Sequence, residues 1–116
     1  MKLTEVVERL GLSVRTGSAH LDREVTGGYA SDLLSDVMAN SRAGDLWVTL
    51  QSHENTVAVA TLRDLGGIVL VGNREPDEET ARRAEEEGVP ILISPDRTFE
   101  VVAKMIDAGV SGRDRE

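Results

Sequence analysis

The feature that most constrains the fold of this chain is a series of three short apolar segments separated by helical segments. Residues 46–50, 68–71 and 90–93 are apolar almost throughout. Strands that are buried on both faces of a parallel sheet have this composition, whereas strands with one exposed face alternate apolar and polar residues. We therefore predict an α/β fold, a three-layer α/β/α domain whose sheet is mainly parallel.

Capping residues and glycines indicate where the helices begin and end. Thr4 is suited to cap the first helix, and Gly11 is suited to end it. Asn55 is suited to cap the third helix, which Gly66 and Gly67 would end. These residues place helices on either side of the first long apolar segment, as a parallel sheet requires.

The remaining helices are predicted from similar boundaries. Asp32 precedes the second helix, and Pro76 starts the fourth, whose first turn is rich in acids that favour the helix dipole. Asp96 or Thr98 opens the last helix. The fourth helix spaces two acid–arginine pairs for i,i+4 contacts, Glu78–Arg82 and Glu79–Arg83. The last helix carries four apolar residues, Phe99, Val102, Met105 and Ile106.

A chain of 116 residues is long enough to bury one ordinary core. We assign residues 1–110 to a single domain and residues 111–116 to a flexible tail. Ahead of the regular part, residues 12–15 and 24–26 have an extended pattern around a polar loop at 16–23. The pair Gly27-Gly28 follows, and a turn with positive φ is the simplest interpretation of it.

The composition excludes several classes of function. The net charge is −8 and only three residues are aromatic, which argues against nucleic-acid binding because such proteins neutralise phosphates with Lys and Arg. The absence of cysteine excludes disulfides and thiolate chemistry. No segment has the ~20 apolar residues that a membrane span needs. The N-terminus does not have the pattern of a signal peptide, so we expect a cytoplasmic protein.

Two patterns resemble catalytic motifs without satisfying them. The segment from Gly67 to Gly72 has the outline of a phosphate loop, but Asn73 stands where the lysine is needed and the intervening residues form a strand. Ser52, His53 and Glu54 are adjacent, whereas a catalytic triad is assembled from residues that meet in space. We therefore predict no catalytic residues, no metal site and no cofactor.

Polar residues follow each of the three apolar segments. In an open parallel sheet, ligands bind outside the carboxyl ends of the strands, where the helix N-termini point. Two arginines beside helix N-termini would suit an anion such as a phosphate. We expect six side chains to orient a ligand and contact its anion: Gln51, His53, Asn55, Asn73, Arg74 and Arg97. Three glycines would allow close backbone approach: Gly27, Gly28 and Gly72.

Three stretches carry a resemblance to a known family: VTGGYASDLLSDVMA, GDLWVTLQSHENTVAVA and VGNREPDEETARRAEEEGVPIL. Over residues 2–106 the chain resembles the DRTGG domain family, which is related to the N-terminal domain of HPr kinase/phosphorylase. The resemblance implies a dimer-forming regulatory module. Family members accompany phosphotransacetylase, cobyrinic-acid-synthase-like domains and pyrophosphatases regulated by CBS domains. Kinase catalysis in the larger relatives resides in a separate phosphate-loop domain, whose motif this chain lacks.

The sequence departs from the motif that names the family. At the positions of the Asp-Arg pair and the Thr-Gly-Gly triplet it has Ser52-His53-Glu54 and Val71-Gly72-Asn73. Of these residues, only Gly72 matches the family pattern. The letters DREVTGG occur earlier, at residues 22–28.

These observations lead us to expect a non-catalytic, homodimeric regulatory domain that senses a small phosphorylated metabolite or a nucleotide. The dimer interface is expected on the first helix or on the helix at residues 33–39. A partner enzyme is a second candidate contact. An adaptor module that binds proteins and no small molecule is the alternative function. A third class, a small enzyme with His53 as general base, would require an orienting partner for that histidine.

Overall fold

The computed structural model describes residues 1–110, which form five α-helices, five β-strands and one 3-10 turn. The expectation of a tail at 111–116 lies outside the described residues. In chain order the elements are α1 (Leu3–Leu10), β1 (Ser13–Thr16), the 3-10 turn (Ser18–His20), β2 (Gly27–Ala30), α2 (Leu34–Asn40), β3 (Asp45–Thr49), α3 (Asn55–Leu62), β4 (Gly67–Leu70), α4 (Glu78–Glu87), β5 (Ile91–Ile93) and α5 (Thr98–Asp107).

The five strands form one sheet in the order β1-β5-β4-β3-β2. Strands β2 to β5 run parallel, and β1 adds an antiparallel edge to β5. Successive parallel strands are therefore neighbours in the sheet, and each is joined to the next by one helix. The predicted three-layer domain with a mainly parallel sheet is confirmed.

The central strands bury both faces. Every residue of β3 and β4 is buried. On one face Leu46 and Val48 pack with Leu3, Val6 and other residues of α1 and with α5. On the other face Trp47 packs with α2, α3 and α4, as residues of those helices share its cluster. Successive side chains of β3 thus point alternately into two apolar cores, one on each face of the sheet. The central strands are apolar almost throughout because both of their faces are buried.

The pair Gly27-Gly28 lies in a strand, so the expected turn is wrong. Both residues belong to β2, where they pair with Asp45 and Leu46 of β3, and neither has a positive φ. A Cβ on Gly28 would lie 2.8 Å from the terminal methyl of Met105. Close packing of α5 on the sheet therefore explains a small residue at this position.

Two predicted caps are wrong. Helix α1 begins at Leu3, before Thr4, and the Glu5 carboxylate accepts a hydrogen bond of 3.0 Å from the Lys2 backbone N–H. Asn55 lies inside the first turn of α3, where the Thr56 hydroxyl donates to the carbonyl of His53 instead. In α1 the Glu5 carboxylate thus accepts from a backbone N–H at the helix start. In α3 the Thr56 hydroxyl donates to a carbonyl, so it does not replace a capping side chain, which accepts from an N–H.

The end of α3 and the ion pairs of α4 also differ from the prediction. The chain leaves α3 through Asp64, which adopts a φ of 54°, and Gly67 begins β4. The guanidinium of Arg82 contacts Glu79 one turn back and Glu86 one turn forward, and Arg83 contacts Glu54 of α3. The predicted i,i+4 pairs do not form because each arginine reaches another acid.

Helix α5 turns two of its four predicted apolar residues outward. Met105 is buried together with Val101, whereas Phe99 is 82% exposed and Ile106 is 62% exposed. A helix whose inner stripe is only two residues wide covers the sheet and leaves a second apolar stripe uncovered.

Replacing either of two glycines that have similar backbone conformations should lower the free energy of unfolding by different amounts. Gly17 has a φ of 74°, and a Cβ there would lie 2.7 Å from the Cα of Pro90. Gly11 has a φ of 66° with nothing within 4 Å of the added Cβ. We expect Gly17→Ala to lower the free energy of unfolding by roughly 2–4 kcal/mol, because strain and a backbone clash add. Gly11→Ala should cost about 1 kcal/mol, from the conformation alone.

Urea unfolding of the two alanine variants and the wild type measures this difference. Equal losses of stability in both variants would contradict the close approach of residue 17 to Pro90, the residue that precedes β5.

Candidate functional site

Seven of the nine predicted ligand residues lie at one edge of the sheet. Strands β2 to β5 are parallel, so the connections that follow them meet at the carboxyl edge. Gly27 and Gly28 begin β2 and lie at the opposite edge, away from the others. The connection after β3 holds Gln51 and His53 and leads into Asn55, the connection after β4 holds Gly72, Asn73 and Arg74, and the connection after β5 holds Arg97.

The helices that follow β4 and β5 lie on opposite faces of the sheet. Helix α4, which follows β4, packs with α2 and α3, while α5, which follows β5, packs with α1 on the other face. The two connections therefore diverge from neighbouring strands. In open α/β sheets such a divergence forms the crevice in which ligands bind.

Backbone hydrogen bonds join these two connections at the carboxyl edge. The N–H of Gly72 donates to the carbonyl of Asp96, and the N–H of Asn73 donates to the carbonyl of Ser94, each at 2.7 Å. Both donors lie in left-handed conformations, with φ values of 65° for Gly72 and 60° for Asn73. The two connections are thus bound to each other, and these N–H groups are directed at the protein. Contacts to an anion here depend on side chains.

Two arginines extend from the bonded connections. Arg74 and Arg97 are both exposed. Within residues 1–110, neither guanidinium makes a hydrogen bond or an ion pair. Guanidinium groups bind phosphates and carboxylates through paired hydrogen bonds, so two of them on adjoining connections are suited to an anionic ligand.

The adjoining part of the edge, at the start of α3 and α4, is acidic. His53 Nδ1 lies 3.4 Å from a carboxylate oxygen of Asp77, and Glu54 lies 3.6 Å from Arg83. Asp77 and Glu79 lie at the start of α4, where their negative charges occupy the favourable end of the helix dipole. These carboxylates repel a phosphate. His53 and Asn55 therefore lie in the acidic part of the edge, whereas Arg74 and Arg97 carry positive charge.

The pKa values of two groups on α4 are shifted by one ion pair. A hydrogen bond and the charge of Arg82 lower the pKa of Glu79 from its ordinary 4.5. The same contact with Glu79, together with the charge of Glu86, raises the pKa of Arg82. Both groups are on the surface of the helix and remain charged at neutral pH. They contribute charge to this edge and no proton donor or acceptor for chemistry.

Asp32 organises the carboxyl edge and was not among the predicted site residues. Its Oδ1 accepts hydrogen bonds of 2.8 Å from the Thr49 hydroxyl and from the Leu50 N–H. The side-chain amide of Gln51 donates to the Asp32 carbonyl at 2.9 Å. Gln51, predicted as a ligand contact, is therefore engaged within the protein. In the sequence, the position of Asp32 between a strand and a helix is the signal for this role. Its hydrogen-bond partners could not be identified from the sequence because they lie after β3, on another connection.

Two features of the described residues bear on other site types. No three His, Asp or Glu side chains within residues 1–110 are placed to hold a metal ion. No helix in the same range is long and apolar enough to cross a membrane.

A second carboxylate cluster connects β2 to α2. Hydrogen bonds from Ser31, Tyr29 and Asn40 lower the pKa of Asp36 from its ordinary 3.8. The Tyr29 hydroxyl lies 2.9 Å from the carboxylate, and the amide of Asn40 lies at the same distance. Because the bonds are strongest to the charged form, the ionised Asp36 holds the strand edge and the helix together.

Removing the Asp32 carboxylate should destabilise the domain. We expect Asp32→Ala to lower the free energy of unfolding by about 1–2 kcal/mol, because the Thr49 hydroxyl and the Leu50 N–H lose a charged acceptor. Asp22→Ala removes the same charge where the carboxylate makes no hydrogen bond in the described chain, and it is the matched control. Equal stability of the two variants in urea unfolding would refute a structural role for Asp32.

The lowered pKa of Asp36 predicts a dependence of stability on pH. A carboxylate with a lowered pKa stabilises the folded state above its unfolded pKa, and that contribution disappears as the pH falls through the folded pKa. The stability difference between wild type and Asp36→Asn should therefore be largest near neutral pH and shrink as the pH falls below the ordinary pKa of 3.8. Urea midpoints measured across this range test it, and a constant difference would contradict it.

Comparisons with known proteins agree with this architecture. The model of the DRTGG domain family matches residues 5–108. No curated protein matches the sequence. A solved structure with the same fold is the regulatory region of Clostridium perfringens pyrophosphatase, which comprises CBS and DRTGG domains and was solved with its activator, diadenosine tetraphosphate. The TM-score is 0.69 at 10% identity, over 98% of this chain and 51% of that chain.

The present chain thus spans about half the length of that regulatory region. A family match over residues 5–108, together with a shared fold over nearly the whole chain, settles its classification. The chain belongs to the DRTGG domain family.

Proposed function

We propose that this domain is a non-catalytic regulatory module that binds a nucleotide or another small phosphorylated metabolite at the arginine pair of its carboxyl edge. It acts as a homodimer in the cytoplasm and passes the binding event to a partner enzyme. The observation that carries the proposal is the placement of Arg74 and Arg97 on two connections that are hydrogen-bonded to each other.

The geometry supports an anion at the arginines. The two guanidinium groups are exposed and make no contact with an acid in residues 1–110, whereas Arg15, Arg82 and Arg83 each pair with a glutamate. In a chain of net charge −8, two unpaired arginines on adjoining connections at the ligand-binding edge of a sheet stand out. A polyphosphate would supply the missing negative charge.

The family supports regulation by a nucleotide. In the pyrophosphatase of Clostridium perfringens, the DRTGG domain lies in a regulatory region whose activator is diadenosine tetraphosphate. The shared family favours a regulatory role for the present chain, and the low identity leaves the ligand to be found by experiment.

The polar edge favours binding over catalysis. His53 is exposed, and the only acid in contact with it within residues 1–110 is Asp77, which is also exposed. A general base needs a partner that orients it and a site that excludes water. The exposed pair provides neither, which supports a non-catalytic domain.

A thermal-shift screen against diadenosine tetraphosphate, ATP, ADP and inorganic phosphate tests the proposal. A ligand at ~100 times its dissociation constant adds about 2.7 kcal/mol to the stability. For a domain of this size the melting temperature should rise by several degrees. Arg74→Ala and Arg97→Ala should each reduce the shift, because each removes a charged donor to the phosphates.

Arg42→Ala is the matched control, since Arg42 is an exposed arginine between α2 and β3, at the opposite edge of the sheet. It should retain the full response. The proposal is wrong if no compound changes the melting temperature, or if the two carboxyl-edge variants respond as the wild type does.

The alternative function, a protein-binding adaptor without a small-molecule ligand, is favoured by one observation. Leu62 of α3 is 72% exposed and lies in a groove with Val57, Ala58 and Arg83 between α3 and α4. If the thermal-shift screen finds no ligand, this groove is the next surface to test. Leu62→Asp should then abolish capture of a partner protein.

A further inference from the structure

The two connections that carry the exposed arginines contain more acids than bases. The connection from β4 to α4 holds Arg74, Glu75 and Asp77, and the connection from β5 to α5 holds Asp96 and Arg97. Three carboxylates therefore stand against two guanidinium groups. Because like charges repel, these connections alone would disfavour a phosphate. The positive charge that the proposed anion site needs must come from other elements of the chain.

Lys104 of α5 neutralises the acid beside Arg97. Its Nζ lies 2.5 Å from Oδ2 of Asp96. Lys104 belongs to the last turn of α5, where a lysine ordinarily interacts with the carboxyl end of the helix dipole. Its side chain instead extends towards the beginning of the helix and contacts the residue that precedes Arg97.

Arg15 of β1 neutralises the acid beside Arg74. Its Nε lies 3.2 Å from Oε1 of Glu75, which is 60 residues further along the chain. The pairing of β1 with β5 shifts register between Val14 and Thr16, so Arg15 stands at an irregularity of the edge strand. Such irregularities redirect side chains, which is consistent with a contact to a connection two strands away in the sheet.

The third acid, Asp77, is also engaged from outside the two connections. Its carboxylate accepts a hydrogen bond of 3.3 Å from the Ser52 hydroxyl and lies 3.4 Å from His53 Nδ1. Every carboxylate of the two connections therefore has a partner from another part of the chain. Arg74 and Arg97 make no such contact within residues 1–110. This distribution leaves the two arginines, and not their neighbouring acids, for a ligand.

We infer that Arg15 and Lys104 are positioning residues of the anion site. Each holds an acid that adjoins one of the two exposed arginines, and together they change the local balance of charge from negative to positive. Neither of them needs to touch the ligand. The inference rests on the proposed function and adds to it the two residues on which the affinity of the arginine pair depends.

The backbone keeps one of these acids at the site when its cation is removed. The carbonyl of Asp96 accepts a hydrogen bond of 2.7 Å from the Gly72 N–H. The N–H of Asp96 donates to the Ser94 hydroxyl at 3.1 Å. A carboxylate that is fixed in this way and has lost its lysine competes with the ligand for the arginines.

A first test requires no ligand. In Lys104→Gln and in Arg15→Gln one acid is released and can pair with the arginines of the site. Exposed ion pairs add little to stability, so both variants should keep the fold. Proton exchange with water at the Nε–H groups of Arg74 and Arg97, measured by NMR, should slow by about two- to fivefold at one or both arginines, because a carboxylate partner protects these protons. Unchanged exchange at both arginines in both variants would overturn the inference.

A second test measures affinity. Isothermal titration calorimetry with diadenosine tetraphosphate, ATP, ADP and inorganic phosphate should give dissociation constants that are about two- to fivefold higher for Lys104→Gln and for Arg15→Gln than for the wild type. Arg42→Gln removes the same charge at the opposite edge of the sheet and should bind as the wild type does.

Removing the released acid distinguishes positioning from direct contact with the ligand. Lys104→Gln combined with Asp96→Asn should bind as tightly as the wild type, because the carboxylate that Lys104 held is gone. Lys104→Gln combined with Glu75→Gln loses the same charge but keeps the released Asp96, so it should recover less. A lysine that contacts the phosphate itself would show no full recovery in either combination. That result, or equal recovery in both, would overturn the positioning role.

The binding measurements separate this inference from the proposed function. A wild-type chain that binds none of the four compounds refutes the anion site and the inference with it. A wild type that binds, with unchanged affinity in Lys104→Gln and Arg15→Gln, refutes the positioning role alone and leaves the arginine pair as the proposed site.

Discussion

Burial of the central strands on both faces is the constraint on which the rest of this structure depends. All residues of β3 and β4 are removed from water, so helices must cover the sheet on either side. Parallel strands in turn need crossover connections, and each crossover here supplies one of the covering helices. The polar groups that cannot be buried gather where these connections leave the sheet.

That constraint also decides the character of the carboxyl edge. The helices that follow β4 and β5 lie on opposite faces of the sheet, and hydrogen bonds from Gly72 and Asn73 join the two connections that lead to them. The start of α4 is neutralised by acids of the protein itself. In the proposed function, what remains for a ligand is a pair of exposed arginines, which suit an anion reached from the outside and not a deeply enclosed substrate.

The sequence was sufficient for the layers and the strand direction because both depend on local composition. Local composition does not predict that Gly27 and Gly28 form a strand. Their strand conformation comes from pairing with Asp45 and Leu46, which are distant in sequence. The position of the polar edge followed from the topology. The topology does not predict which of these side chains are free to contact a ligand. The Gln51 amide, for example, donates to the carbonyl of Asp32 on another connection. The outward stripe of α5 was likewise hidden in an apolar pattern that is compatible with either orientation of the helix.

The proposed function joins two events in one small domain, binding of an anion beside Arg97, which directly precedes α5, and self-association of the chain. Free-energy linkage then makes the two events reciprocal: the factor by which a bound ligand alters self-association is the factor by which self-association alters affinity for the ligand. The ligand concentration to which such a domain responds is therefore set in part by its own abundance. A cell could retune the sensor by changing how much of it is made, with no change in sequence.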